Sequence, residues 1–321
     1  ADALERALDG SKVRQLGETF ALEASELVSQ GLDSEQAKFF REFVEGGSAG
    51  LGRLGRDLAS GAASLVGTAL KRSNGSSTPV EVLDREAIDL ILHTLELLAE
   101  AALKPVDPEH VDRSGMELIK RLAPPVDALM RGYFRLEVEG LDRVPEGPAL
   151  VVSNHDSGTT FVQVLGMGAR WYLERGLDDR IVGLMHDALF EVPVVANIMS
   201  RLGAIRASHA SADEALAQGF KVYVAPGGNL EAFRPWSERY QVKFGGRRGW
   251  IRLARRNHVP IVPTVFIGGQ ETFFVLTDGE YLAHNLGLKR RFRIDTLPLW
   301  LGLPFGFGVG PMFHLPLPAK C

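Results

Sequence analysis

Short apolar runs alternate with stretches of helical periodicity from about residue 135 onward. Residues 136–139 alternate apolar and polar positions, which predicts a strand, and four apolar runs predict further strands at 149–152, 181–185, 222–225 and 261–267. Apolar residues at helical spacing predict helices between them, at 161–173, 192–202, 210–217 and 250–256. Strands that alternate with helices indicate an α/β domain.

The first part of the chain has a different pattern. Residues 1–130 carry apolar positions at helical spacing, with a break at Pro124-Pro125 and one more helix that runs to about Phe134. We therefore predict a helical N-terminal region at 1–130 and an α/β domain at 131–321. The helical region is interpreted as a cap on the main domain, and the alternative is a surface for a membrane, a lipid granule or a partner.

Composition and charge narrow the class of protein. The chain is 45% hydrophobic and has a net charge of -4, which argues against a nucleic-acid partner. Its single cysteine, Cys321, allows no disulfide within the chain, and scattered histidines without a cysteine pair predict no metal site. Residues 296–319 carry no charged side chain, but their five prolines argue against a membrane-spanning helix.

The first candidate for chemistry follows the strand at 149–152. Ser153 and Asn154 are turn formers, and His155 comes directly after them. Open α/β sheets keep their sites at the carboxyl ends of the strands, so His155 is a candidate catalytic residue. A solvated turn histidine is the simpler interpretation of this stretch taken alone.

A second strand also ends in a conspicuous turn. Gly227 and Gly228 follow Pro226, and paired glycines let main-chain N–H groups approach an anionic ligand. Glu231 and Arg234 lie just beyond. An ordinary Pro-Gly-Gly turn is the alternative.

Several basic residues are candidates for binding a phosphate or a membrane surface. Arg206 follows a short apolar run, and arginines cluster at 247–256, where a solvated helix face is the alternative. A second basic run at 289–293 precedes the uncharged segment 296–319. Basic and apolar segments side by side are typical of interfacial membrane binding, although a tail packed across the main domain would have the same pattern.

Four blocks occur in an order that resembles the glycerolipid acyltransferase superfamily, which contains the lysophosphatidate acyltransferases. Within it, the chain looks most like the branch with type-2 diacylglycerol acyltransferases and phytyl-ester synthases. The resemblance covers about 134–318. The blocks are Asn154-His155, the stretch 189–206, Pro226-Gly-Gly-Asn-Leu-Glu231 with its continuation to Pro235, and Val259-Pro-Ile-Val-Pro263.

The resemblance implies a mixed sheet flanked by helices, with the helical N-terminal region as an extension. It implies that His155 is a general base, which takes a proton from an acceptor hydroxyl that then attacks acyl-CoA or acyl-carrier protein. These are co-substrates, and no cofactor is expected. The expected partners are a lipid acceptor and a membrane surface, with the protein cytoplasmic and peripheral on the inner membrane face. The residues expected to contact substrate are Asn154, Ser157, Thr160, Arg206, Gly227, Gly228 and Arg234.

One departure from the family pattern affects the expected activity. The family has an aspartate five residues after the histidine, and this chain has Thr160 there. A hydroxyl does not stabilise an imidazolium as a carboxylate does. Asp156 and Glu231 are the candidate catalytic replacements. A lipid-binding or acyl-chain-binding protein without activity is the alternative function, and a carboxylate within hydrogen-bond reach of the His155 ring would argue against it. A hydrolase that uses Ser157 is a third hypothesis, but the G-x-S-x-G elbow is missing.

Overall fold

A computed structural model describes residues 97–98, 101–102, 104–191, 193–288, 290, 295–303, 305–312 and 314–321. The helices predicted before residue 97 and most of the basic run at 289–293 lie outside the described residues. The chain forms two compact units, one that includes residues up to Pro105 together with Phe190–Ile198, and one that comprises Val106–Leu189 and Met199–Cys321. The division predicted at residue 130 stays a prediction.

The described part of the first unit is small. Residues 97–98 and 101–102 are helical, and the Asn197 side chain donates a hydrogen bond of 2.9 Å to the carbonyl oxygen of Ala102.

The second unit contains eight named strands among the described residues. They are β1 (Leu150–Val152), β2 (Ile181–Met185), β3 (Ala204–Arg206), β4 (Lys221–Val224), β5 (Ile261–Pro263), β6 (Phe274–Thr277), β7 (Leu299–Gly302) and β8 (Gly306–Val309). The described α-helices are α1 (Met116–Tyr133), α2 (Val162–Arg175), α3 (Pro193–Arg201), α4 (His209–Ala217), α5 (Asn229–Ala232), α6 (Gly249–Asn257) and α7 (Glu280–Asn285), of which α3 spans the unit boundary. Single 3-10 turns occur at Leu141–Arg143, Asp187–Leu189, Trp236–Glu238 and Gly269–Thr272.

The strands form two sheets. The main sheet has the order β3-β2-β4-β1-β5, and all of its pairings are parallel. The small sheet has the order β6-β7-β8 and is antiparallel. The predicted α/β class with a helix-flanked sheet is confirmed, and the parallel and antiparallel pairings lie in separate sheets.

Strand β1 shows why the strands of the main sheet correspond to apolar runs in the sequence. Leu150 packs into a cluster with α4 and α6, whereas Val151 points to the other face and packs with Trp171 of α2. Both side chains are fully buried. Helices cover both faces of a parallel sheet, so its central strands need no polar face, and each such side chain contributes about 1.5–3 kcal/mol by burial.

Two predictions about local structure were wrong. Residues 136–139 form no strand, because their main-chain N–H groups bond outside any sheet: Leu136 N–H donates to the carbonyl of Met130 in α1, and Glu137 N–H donates to the carbonyl of Cys321. Pro124 and Pro125 do not divide the helix, since α1 continues through both. A proline inside a helix costs about 3 kcal/mol, and packing of α1 against α2 through Met130 offsets that cost.

The uncharged segment 296–319 forms β7 and β8 rather than a helix. Among the helices that the structure describes, none combines the length and the apolar character needed to cross a bilayer. The inner face of the small sheet is buried through Val275 and Trp300, which pack with Phe233 just after α5.

Candidate active site

The site lies at the carboxyl edge of the main sheet, where β1 and β4 are neighbours. Residues 153–158 follow β1, and residues 225–228 follow β4. Because parallel strands end at the same edge, the two turns meet there. Their contact is direct, since the main-chain N–H of His155 donates to Glu231 Oε2 at 3.0 Å.

The ring of His155 is paired with the residue that follows it. His155 Nδ1 lies 2.8 Å from the carbonyl oxygen of Asp156 and 3.1 Å from its carboxylate Oδ1. Both oxygens are acceptors, so Nδ1 carries the proton in the neutral ring and Nε2 keeps its lone pair. Within the described part of the chain, Nε2 has no hydrogen-bond partner, and a quarter of the side chain (25%) is exposed.

Two opposing effects set the protonation of His155. Burial disfavours the imidazolium and by itself would lower the pKa of His155. The hydrogen bond and negative charge of Asp156, with a further contribution from the charge of Glu231, outweigh that effect and hold the pKa of His155 above its ordinary value. A base with a pKa close to neutral suits proton abstraction from a hydroxyl.

Asp156 is fixed by a reciprocal pair of hydrogen bonds with Gln163. The main-chain N–H of Gln163 donates to Asp156 Oδ2 at 3.0 Å, and the main-chain N–H of Asp156 donates to Gln163 Oε1 at 3.1 Å. Gln163 stands in the first turn of α2, whose N-terminus favours a negative charge. The carboxylate, 1% exposed, is therefore held between the helix and the imidazole. Nothing in the sequence marks Gln163 for this position.

Glu231 joins two segments through their main chains. Its Oε2 accepts from His155 N–H, and its Oε1 accepts from Lys243 N–H at 2.9 Å. The side chain is fully buried and has an ion-pair contact of 3.5 Å with Arg234 Nη1. The structure thus brings Asp156 to the ring of His155 and Glu231 to its backbone.

The Pro-Gly-Gly turn depends on both of its glycines. A Cβ at Gly227 would lie 2.1 Å from Glu231 Oε2, so only glycine leaves room for that carboxylate. Gly228 has φ 49° and ψ -132°, a conformation that other residues rarely adopt. Arg247, from the predicted basic cluster, donates to the carbonyl oxygens of Pro226 and Gly227 at 3.1 and 3.0 Å and to Asp295 Oδ2 at 3.0 Å. Arg247 thereby fixes the shape of the turn.

Three predicted substrate contacts close to His155 have other surroundings. Asn154 donates to the carbonyl oxygen of Phe266 and accepts from its N–H, which ties β1 to the segment after β5. Ser157 is buried, and its hydroxyl donates to the carbonyl oxygen of Ala232 at 3.3 Å, away from the histidine ring. The hydroxyl of Thr160 is buried without a hydrogen-bond partner in the described residues.

The two predicted arginines are held by carboxylates. Arg206 ends β3 and contacts Glu109 and Asp187, at 2.5 and 3.3 Å. Three strand positions separate β3 from β1 in the sheet, which corresponds to about 14 Å. Arg234 is almost completely buried beside Glu231, and burial lowers its pKa. Whether either arginine contacts substrate stays a prediction.

A histidine that the sequence did not suggest also lies at the site. The ring of His314 stacks on Phe273, with 3.6 Å between ring centroids, and burial lowers the pKa of His314. The ring covers Gly158, where a Cβ would lie 2.1 Å from His314 Cε1. Gly158 also has a positive φ of 77°. The active-site turn therefore needs glycine at this position.

An apolar cavity of about 110 Å³ lies under the start of α2. Its walls come from α1, α2 and the main sheet, and include Val126, Phe161, Leu165, Tyr172, Met185 and Tyr223. Among all the residues that the structure describes, no group of three or more His, Cys, Asp or Glu side chains is arranged to hold a metal ion.

Comparison with known proteins gives a family for this region. Residues 135–267 match the family model described as Acyltransferase. That range contains the whole main sheet, His155, Asp156 and Glu231. No solved structure matches the chain significantly.

Several relatives match over similar lengths. An uncharacterized protein of Mycobacterium tuberculosis is 31% identical over 191 residues, which cover 59% of this chain and 51% of that protein. A human protein named as a DGAT1/2-independent enzyme synthesizing storage lipids is 28% identical over 187 residues, or 58% of this chain and 50% of the relative. Its mouse counterpart is 27% identical over 177 residues, or 55% and 50%. The chain spans about half the length of the curated relatives it matches.

Proposed function

We propose, from the match of residues 135–267 to the acyltransferase family model, that this chain is an O-acyltransferase acting on lipids. It moves a fatty acyl group from acyl-CoA or acyl-carrier protein to a hydroxyl of a lysophospholipid or another glycerolipid. One observation carries the proposal: a carboxylate oxygen of Asp156 lies 3.1 Å from the ring of His155 at the sheet edge. The names of the animal relatives, which refer to storage lipids, support a glycerolipid acceptor.

The proposed reaction uses the two nitrogens of His155 differently. Nε2 takes the proton of the acceptor hydroxyl while Nδ1 donates to Asp156. The acceptor oxygen attacks the thioester carbonyl carbon, and a tetrahedral intermediate forms. The carbon–sulfur bond then breaks, and the imidazolium returns its proton to the departing thiolate. Asp156 stabilises the imidazolium between these steps, as the carboxylate does in a catalytic triad.

The apolar cavity supports a long-chain donor. Its lining residues come from elements next to the active-site turn, since Phe161 precedes α2 and Tyr223 belongs to β4. A cavity with an almost entirely apolar wall accepts hydrocarbon without leaving polar groups unsatisfied. We assign part of the acyl chain to it.

The proposal extends to the location of the protein. Acceptors of this class reside in bilayers, which supports a peripheral protein on a membrane face; the location that we propose is the cytoplasm, on the inner membrane face. The phosphate of a lysophospholipid acceptor would need hydrogen-bond donors or a cation. The N–H of Gly228 already donates to the carbonyl of Ala225, and the turn that carries Gly227 is closer to His155 along the sheet than Arg206 is.

The geometry favours an enzyme over the two alternatives. A binding protein that lacks activity was suggested by Thr160, but the carboxylate expected at that position has a counterpart in Asp156. A hydrolase that uses Ser157 would need that hydroxyl on the imidazole, and it bonds to Ala232 instead.

The test measures thiol release from a panel of acyl-CoAs, with and without lysophosphatidate, monoacylglycerol or diacylglycerol. We expect release that depends on acceptor, with His155→Ala slower by about 10³-fold, in the range for a general base. His284→Ala is the matched control, because it removes an exposed histidine of α7. Equal rates in wild type and His155→Ala would refute the assigned base, and acyl-CoA binding without transfer would favour the binding protein.

A further inference from the structure

The small sheet has apolar side chains on both of its faces. Val275 of β6 pairs with Trp300 of β7, which pairs with Gly308 of β8, and this layer is buried. The Trp300 ring lies so close to Gly308 that a Cβ there would be 2.2 Å away. Side chains alternate along a strand, so the residues on either side of this layer point outward.

The outward residues are apolar as well. In β7 and β8 Leu301 pairs with Phe307, and Leu303 pairs with Leu315 beyond the strands. We call these side chains the outer face, which comprises Leu301, Leu303, Phe305, Phe307, Val309 and Leu315, with exposed fractions of 43%, 57%, 59%, 59%, 49% and 59%. An antiparallel sheet with one buried face normally turns polar residues toward water. A contiguous exposed apolar surface of this kind marks an interaction site.

The charge around the outer face indicates what it binds. Residues 296–319 contain no Asp, Glu, Lys or Arg, so the face has no charged residue of its own. Protein interfaces are bordered by polar rims that carry hydrogen bonds and ion pairs. A lipid layer instead favours an uncharged apolar surface, with basic residues at its border. In the sequence, four basic residues stand just before this segment, and Arg290 among them is described and exposed.

The outer face is continuous with the active-site turn. The hydroxyl of Thr159 donates to the carbonyl oxygen of Met312 at 2.9 Å, and the His314 ring covers Gly158. Met312 and His314 precede Leu315 of the outer face. A lipid on this surface would therefore lie beside the turn that carries His155.

We propose that the outer face is the surface through which the protein docks on a lipid layer. This inference rests on the proposed function in one respect, since a lipid acceptor gives the protein a reason to dock there. Phe305, Phe307 and Val309 enter the apolar boundary of the layer. The turn that carries His155 and Gly158 then lies beside the lipid.

The experiment measures binding to vesicles without any reaction. Wild type is floated with vesicles of phosphatidylcholine and with vesicles of phosphatidylcholine and phosphatidylglycerol. The test variant is Phe307→Thr/Val309→Thr, which keeps β propensity while removing apolar surface. Leu129→Gln/Leu173→Gln is the matched control, because it removes two exposed apolar residues of α1 and α2. His155→Ala separates docking from chemistry.

We expect wild type, the matched control and His155→Ala to bind vesicles, and the test variant to bind at least about tenfold more weakly. Absence of transfer together with vesicle binding would overturn the proposed function and leave the docking surface intact. Equal binding by wild type and the test variant would overturn the docking surface. A wild-type dimer that the variant converts to a monomer would assign the face to a second copy. A large fall in the variant's melting temperature would assign it to another segment of the same chain.

Discussion

The two sheets of the second unit use apolar residues in opposite ways. The main sheet is covered by helices on both faces, and the proposed catalytic groups lie in the turns that follow its strands. The small sheet is covered on one face by Phe233 and its neighbours, and its other face is exposed. Because of this difference in coverage, the two sheets can have different roles. The edge of a fully buried sheet holds polar groups at fixed distances, whereas the face of a half-buried sheet offers area for contact with a lipid layer.

The largest expected effect contrasts the two faces of the small sheet. Trp300 is fully buried, so Trp300→Ala should reduce the free energy of unfolding by about 3–5 kcal/mol. Phe307→Ala removes a side chain that is 59% exposed and should change it by about 0.5 kcal/mol or less. Urea denaturation of both variants checks the difference. Equal losses would mean that the outer face is covered within the protein.

The next effect concerns the pairing of Asp156 with His155 at the edge of the main sheet. Asp156→Asn should lower the rate of transfer by about 10²-fold, the lower end of the range for general acid–base catalysis, because the imidazolium loses its carboxylate. The variant should also lower the pKa of His155, since burial remains and the raising influence of Asp156 is gone. His155 must be unprotonated to act as a base, so the rise of rate with pH should move to lower pH.

Rate profiles of wild type and Asp156→Asn, measured between pH 5 and 9, provide the check. Asp213→Asn is a suitable control, because Asp213 pairs with Arg256 on the surface. A profile that keeps its position in Asp156→Asn would show that Asp156 does not set the pKa of the base.

A smaller effect is expected at the contact between the active-site turn, at Gly158, and the ring of His314. Gly158→Ala places a Cβ against His314 and requires a positive φ, and we expect it to cost about 1–3 kcal/mol of stability. His314→Ala removes the overlapping ring, so the double variant should recover part of that loss. Thermal melts of the two single variants and the double variant form a cycle that measures the coupling. Additive losses would mean that Gly158 is required for its backbone conformation alone.

The smallest effect is expected at the position where the family has aspartate. The hydroxyl of Thr160 has no hydrogen-bond partner in the described residues. Thr160→Val should therefore leave the rate of transfer within about threefold of wild type, or roughly 0.6 kcal/mol. Steady-state rates with a saturating acyl donor test this. A loss comparable to that of Asp156→Asn would place Thr160 in contact with the reactants.

The strands of the main sheet were predictable where burial on both faces leaves an uninterrupted apolar run. β2 has the predicted limits, and β1 and β4 lie within one residue of theirs. β3 was missed because only two of its three residues are apolar and the third is Arg206, so that it forms no apolar run. The strand predicted at 136–139 has the right alternation, but none of the described strands pairs with it. The pattern of apolar residues indicates which side chains are buried, whereas the pairing of strands depends on residues far away in the chain.

The small sheet was not predicted for a related reason. Prolines and glycines in 296–319 argued against a helix, and the apolar residues on both faces hide the alternation that indicates a strand. At the site, the sequence left both Asp156 and Glu231 as candidate carboxylate partners of His155. It did not determine which carboxylate reaches the ring. That depends on the turn at Ser157-Gly158, which directs Asp156 back to His155 and to Gln163.

Glu231 shows that a residue can resist substitution because of its hydrogen bonds to the main chain rather than because of a chemical role. Each of its carboxylate oxygens accepts from a main-chain N–H, one of His155 and one of Lys243. Glutamine has the same shape, but its amide group would face one of these donors with another donor. In a saturation scan, position 231 should reject even its isostere, and we expect position 155 to be equally intolerant. The two positions would differ in soluble yield, which should fall for substitutions of Glu231 and be retained for substitutions of His155.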